Sequence, residues 1–151
     1  MNKIKRNKSW ELTKKVLPQH TDHAGVMWHG SYLNFLEEAR IDALNKVGIS
    51  YSELSNQGFE MPVINIHINY KLPFFHGELV HLESEFKFVN KIRLSCKTFF
   101  IKSNGEIVAD ALIQLVVVKK SNNQMKLLRD LPVKIQNVFS LLEEGSANLK
   151  D

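Results

Sequence analysis

The chain has 151 residues, of which 44% are hydrophobic and 24% charged, with a formal net charge of +4. This is the make-up of one ordinary globular domain, long enough to bury a core without staples. Its single cysteine, Cys96, excludes an intrachain disulfide; no apolar run reaches the roughly 20 residues of a membrane-spanning helix, and no zinc-finger spacing or basic-aromatic nucleic-acid motif is present.

Residues 1–9 read as a basic arm carrying Lys3, Lys5, Arg6 and Lys8. Trp10-Glu11 follows where a secretory signal would place its apolar region, so a cytoplasmic chain is expected, with no membrane insertion and no nucleic-acid partner. Residues 10–17 read as a first strand, which Pro18 ends. A polar, glycine-bearing loop follows, His20-Thr21-Asp22-His23-Ala24-Gly25-Val26-Met27-Trp28-His29-Gly30-Ser31. Tyr32, Leu36, Ala39, Ala43 and Val47 then recur at steps of four and three, and Leu33, Phe35 and Leu44 widen that face. This spacing predicts a long helix with a broad buried side. Ser31 is the expected N-cap, and Lys46 with Gly48 the expected stop. Ser50 and Glu53 make a capping box, which predicts a short helix over 51–56 that Gly58 closes.

From Met61 the period changes from 3.6 to 2. Ile64, Ile66, Ile68, Tyr70 and Leu72 alternate with polar residues until Pro73, and Leu82, Phe86 and Phe88 alternate with Glu83, Glu85 and Lys87. Asn90-Lys91 is a turn, 92–102 a further strand, and Asn104-Gly105 a tight-hairpin signal. Residues 106–119 are apolar at nearly every position, which predicts one strand covered on both faces. Ser121-Asn122-Asn123 turns the chain, and Pro132 is expected at the first position of a closing helix to about Glu144. Cys96 lies in an apolar pattern and reads as a small core residue. The fold class expected is α+β: a five-stranded antiparallel sheet wrapped around one long central helix.

The loop and the element order together resemble the hot-dog fold. The run from Thr21 to Tyr32, with Asp22, Gly25, Trp28-His29 and Tyr32 at the motif positions and Glu37-Glu38-Ala39-Arg40 continuing it, is similar to the 4-hydroxybenzoyl-CoA thioesterase family. That family includes Tol-Pal-associated acyl-CoA thioesterases and 1,4-dihydroxy-2-naphthoyl-CoA thioesterases. The resemblance implies a thioesterase domain over 10–144, with a tail over 145–151, acting on an acyl-CoA, with a hydroxyaromatic acyl group the nearest suggestion. It implies Asp22 as nucleophile or general base, between which sequence does not choose, the His29 N–H as donor to the carbonyl oxygen, and Gly25 as the turn that lets the backbone approach. Taken alone, Asp22 would be the better fit to an Asx-turn. Trp28 and Tyr32 are candidate substrate contacts, though equally core residues; Glu37 and Glu38 read as surface charges. Lys91 and Arg93 stand where the resemblance puts contacts to CoA phosphates. No metal or other cofactor is implied. The apolar strands and helix predict a homodimer or homotetramer. Short-chain acyl-CoA hydrolysis, hydration or dehydration on the same fold, and acyl-CoA binding without turnover stay open.

Overall fold

The computed structural model describes residues 9–146. Most of the expected basic arm and C-terminal tail, residues 1–8 and 147–151, lies outside the described residues.

Five strands form the main sheet: β1 (Trp10–Lys15), β3 (Val63–Tyr70), β4 (Leu79–Phe88), β5 (Arg93–Ile101) and β6 (Ile107–Val116). Their order is β1-β4-β5-β6-β3, every pairing antiparallel. The helix α1 (Ser31–Lys46) lies against one face of this sheet. Side chains alternate along each strand, so register decides which residues meet it. Leu82 faces Phe100 and Phe86 faces Cys96 across β4 and β5, all buried. Cys96 faces Ile113 across β5 and β6, again buried. From the helix, Phe35, Leu36, Ala39, Ala43 and Leu44 enter the same core. Ala39 and Ala43 on the helix and Ala109 and Ala111 on β6 are all buried in this core. Each large side chain so buried contributes about 1.5–3 kcal/mol. Ser84 and Thr98, opposed on this inner face, satisfy one another by a 2.8 Å hydroxyl hydrogen bond.

Three expectations are corrected. The apolar run of 106–119 is not one strand. It breaks at Val117, whose N–H turns to the Ile92 carbonyl at 2.8 Å. The chain then continues as β7 (Val118–Ser121), which pairs with β2 (Phe59–Glu60) and β8 (Gln124–Leu127) in a second, three-stranded sheet. Nor is β6 covered on both faces, since Ile107 and Leu112 on its outer side are exposed. Ser31 is not the N-cap of α1. Gly30 holds that position, and the Ser31 hydroxyl donates instead to the His20 carbonyl at 2.9 Å. Pro132 likewise is the N-cap, not the first residue, of α3 (Val133–Glu144). The second helix, α2 (Tyr51–Asn56), has both bonds of its expected capping box.

Part of the apolar surface stays open. β3 is an edge strand, and its inward-facing Ile66 and the neighbouring Ile64 are 44% and 46% exposed, because the sheet is wider than the helix that covers it. Leu33 of α1, expected in the buried face, is also exposed, at 44%. α3 closes the core with Ile135, Phe139 and Leu142, and the Trp10 indole N–H donates to the Leu142 carbonyl at 2.8 Å.

Candidate active site

The loop between β1 and α1 is a closed unit. The Asp22 N–H bonds the Val26 carbonyl at 2.9 Å, and Thr21 and Met27 form an antiparallel bridge. Gly25 turns the chain at a φ of +78°, a left-handed conformation that side chains with a Cβ resist. The unit is tied on two sides. The Met27 N–H bonds the Phe74 carbonyl at 2.8 Å and the His76 N–H bonds the Gly25 carbonyl at 3.1 Å. On the other side, the His20 carbonyl takes the Trp28 N–H at 2.8 Å as well as the Ser31 hydroxyl. The loop therefore moves with both the helix start and the segment before β4.

The Asp22 side chain does form an Asx-turn: one carboxylate oxygen accepts the Ala24 N–H at 2.8 Å. The second oxygen has no hydrogen-bond partner among the described residues. His29 and Gly30 stand immediately before α1, and their backbone N–H groups donate to nothing among the described residues. These are orphan donors of a helix N-terminus, at the positive end of its dipole. A carboxylate oxygen and two free N–H groups thus belong to one rigid loop-to-helix junction. This is a set that can serve attack on a carbonyl carbon and hold negative charge developing on its oxygen.

Aromatic rings wall the junction. Tyr32 is 3% exposed, edge-on to Tyr70 at 4.9 Å and tilted on Phe100 at 5.0 Å. Burial, and then the neighbouring Tyr70, push its hydroxyl up to about 12, so it is a protonated group throughout the ordinary pH range. The Tyr70 hydroxyl donates to the His29 carbonyl at 2.9 Å, tying the end of β3 to the helix start. Trp28, by contrast, is half exposed, and its ring lies across Gly30 so closely that an added Cβ there would sit 2.1 Å from it. Of the candidate substrate contacts, Tyr32 is a core wall and Trp28 an open surface beside the free N–H groups.

Lys91 and Arg93 are not brought to this junction within the chain. They follow β4, whose ten residues start beside the loop and end on the far side, roughly 30 Å away. There Lys91 pairs with Asp130 at 2.8 Å, a bond that raises its ammonium above the usual value, and Arg93 is exposed. Glu38 pairs with Lys14 at 2.8 Å, and Glu37 lies 3.8 Å from Arg40. Arg40, which the helix pattern did not single out, is 7% exposed and its Nε is an unpaired buried donor. Among the described residues no three His, Cys, Asp or Glu side chains gather as a metal site, and no helix is long and apolar enough to cross a membrane.

Residues 16–140 match the thioesterase-like superfamily. The chain is 30% identical to a putative esterase of Synechocystis sp. over 85% of this chain and 77% of that protein. It is also 30% identical to the long-chain acyl-CoA thioesterase FadM of Escherichia coli, over 82% of this chain and 95% of the relative. Among solved structures, the DHNA-CoA thioesterase of Staphylococcus aureus superposes with a TM-score of 0.79 at 25% identity, covering 87% of this chain and 89% of that one.

Proposed function

Because the chain belongs to the thioesterase-like superfamily and is a thioester hydrolase, we propose that it cleaves an acyl-CoA at the Asp22 junction, releasing the free acid and CoA. The observation that carries this reading is the pair of unused N–H groups at His29 and Gly30 on the same loop-to-helix junction as a carboxylate with one free oxygen. In the reaction, either the Asp22 carboxylate attacks the thioester carbon, expelling the CoA thiolate and leaving a mixed anhydride for water to open, or it takes a proton from the attacking water. In both, the oxygen of the tetrahedral intermediate lies against the helix N-terminus. Removing one such donor typically costs about a hundred- to a thousandfold in rate.

The phosphates of CoA fall to Lys91 and Arg93 in a dimer. β3 runs from Val63, on the side of Arg93, to Tyr70, on the side of His29. Antiparallel pairing of two β3 edges sets the Val63 end of one chain beside the Tyr70 end of the other. That brings Lys91 and Arg93 of the partner subunit to the side of the junction, and it covers Ile64 and Ile66. Such pairing also removes an edge strand that a lone chain leaves open.

For the acyl group, the exposed rings of Trp28 and Tyr70 at the helix start support a hydroxyaromatic acid such as 1,4-dihydroxy-2-naphthoate or 4-hydroxybenzoate. A second reading, a long-chain aliphatic acyl group, is favoured by the similarity to FadM. Steady-state thiol release across hydroxyaromatic, short-chain and long-chain acyl-CoAs tests the proposal and ranks these. Release from none of them overturns it. Hydration of a crotonyl thioester without thiol release would make the protein a hydratase, and tight binding without turnover a carrier.

A further inference from the structure

The most exposed large apolar side chains among the described residues gather at the end of the sheet away from Asp22. They are Val133, Leu127, Val89 and Met125, at 71%, 69%, 61% and 60%. The chain brings them there by three routes. Val89 lies in the β4–β5 turn, where its N–H bonds the Arg93 carbonyl. Lys91 in that turn is paired with Asp130, three residues before Val133 opens α3. Leu127 and Met125 belong to β8, and the hairpin that holds them leaves the main sheet at Val117, bonded to Ile92 of the same turn.

The charge of this end is as uneven as its polarity. Between Val118 and Lys134 stand Lys119, Lys120, Lys126, Arg129 and Lys134 against the single carboxylate of Asp130. Lys120, Lys126, Arg129 and Lys134 form no ion pair among the described residues. Register puts Lys120 opposite Met125 and Val118 opposite Leu127, so one face of the β7–β8 ribbon carries exposed apolar side chains with a lysine beside them. Lys119 and Lys126 are directly opposed on its other face, a like-charge pair that costs the ribbon stability. A ribbon selected only to be soluble has no reason to expose Leu127 and Met125 while crowding cations around them.

We propose that this end is a docking surface for an anionic lipid membrane. Met125 and Leu127 enter the boundary between headgroups and acyl chains, and the lysines meet the lipid phosphates. One feature favours lipid over an acidic protein: the apolar side chains stand on a strand, β8, all four of whose residues are exposed. A membrane surface is also where an amphipathic acyl thioester concentrates, though the docking stands whatever the acyl group is.

The test is co-sedimentation of the full chain with vesicles of phosphatidylglycerol and phosphatidylcholine in equal parts, and with phosphatidylcholine alone, at low and raised salt. The protein is expected on the anionic vesicles only, and to leave them as salt rises. Lys120→Gln, which removes the charge on the face of Met125 and Leu127, is expected to weaken binding about fivefold. The basic residues of 1–8 add charge of their own, so the diagnostic variant is Met125→Ser/Leu127→Ser. It keeps every charge, and it is expected to weaken binding roughly tenfold or more while thiol release from a soluble short-chain thioester is unchanged. Failure of the unaltered protein to bind anionic vesicles overturns the proposal. So does undiminished binding by Met125→Ser/Leu127→Ser together with equal competition by polyglutamate, which would point to an acidic protein. A drop in the sedimenting mass of that variant without vesicles would mark the face as an interface between copies, and overturns it too.

Discussion

The two ends of the main sheet are built differently. At the Asp22 end one loop is tied to both the helix and the segment before β4, and rings fill the space behind it. What is left free there among the described residues is one carboxylate oxygen of Asp22, the N–H groups of His29 and Gly30 at the helix start, and those of His23 and Val26 in the loop. At the other end the elements are short, the ribbon of β7 and β8 stands clear of the core, and cations and apolar side chains face outward. On the proposed reading the first end does the chemistry, while its cations Lys71 and Lys102 are paired with Asp110 and Glu78 and so hold a polyanionic substrate weakly. The second has the charge without the chemistry. On the proposed reading a second copy joins them.

The largest effect expected is on the first end. In Asp22→Asn the side-chain oxygen still accepts the Ala24 N–H, so the loop is kept while the charge is lost. kcat is expected to fall by about a hundred- to ten-thousandfold, with the thermal midpoint close to the unaltered protein; near-normal turnover would detach Asp22 from the chemistry. The next test breaks the link between the ends. Ile64→Lys/Ile66→Lys sets charges into the exposed overhang of β3. A 17.4 kDa species in sedimentation is expected, with activity lower by on the order of tenfold or more as the site loses its second half. A fully active monomer would separate the ends for good.

Lys91→Ala/Arg93→Ala addresses the second end alone. KM for an acyl-CoA is expected to rise roughly fivefold to tenfold with kcat little changed, since exposed charge contacts are weak and are made equally in ground and transition states. The effect should shrink with salt and vanish for an N-acetylcysteamine thioester, which has no nucleotide. Equal loss on both substrates would place these residues elsewhere.

Alkaline titration sharpens how tightly the inner face of the sheet is closed. Burial raises Cys96 from 9.0 to about 11 and Tyr32 from 10.0 to about 12. Below pH 9 both groups hold their protons folded and unfolded, and neither affects stability. Above it the unfolded chain gives up protons that the folded chain keeps, so stability falls from pH 9 and goes on falling to about 12. In Cys96→Ala the fall is expected to start nearer pH 10, as read from denaturant midpoints along the titration. The smallest effect expected is Gly25→Ala, about 1–2 kcal/mol from the left-handed backbone alone, since no atom lies within 4 Å of the added Cβ.

The sequence carried the main sheet and the long helix because both repeat. Alternation from Ile64 to Tyr70 and the three-four spacing from Tyr32 to Val47 survive any local irregularity. It did not carry the second sheet. Phe59–Glu60 is too short for a period, and the run from Leu115 to Val118 has no polar residue to mark the break at Val117. The loop was legible as a motif, but its bonding was not: the Ser31 hydroxyl had a good cap to make and went to the His20 carbonyl eleven residues back instead. Nor does a one-dimensional pattern show that Lys91 and Arg93 stand a full strand away from Asp22. The exposure of Leu127 and Val133 is equally hidden, because each looks like core material until the chain is folded.

Cys96 gives the molecule a clock. It is the chain's one thiol, it lies buried beside Thr98 and Ser84, and at neutral pH it is neither accessible nor ionised. A disulfide reagent added to the folded protein therefore sees only the sulfhydryl that turnover sets loose, against a silent background. In a long incubation without substrate, the same reagent counts the moments at which the inner face of the sheet comes open.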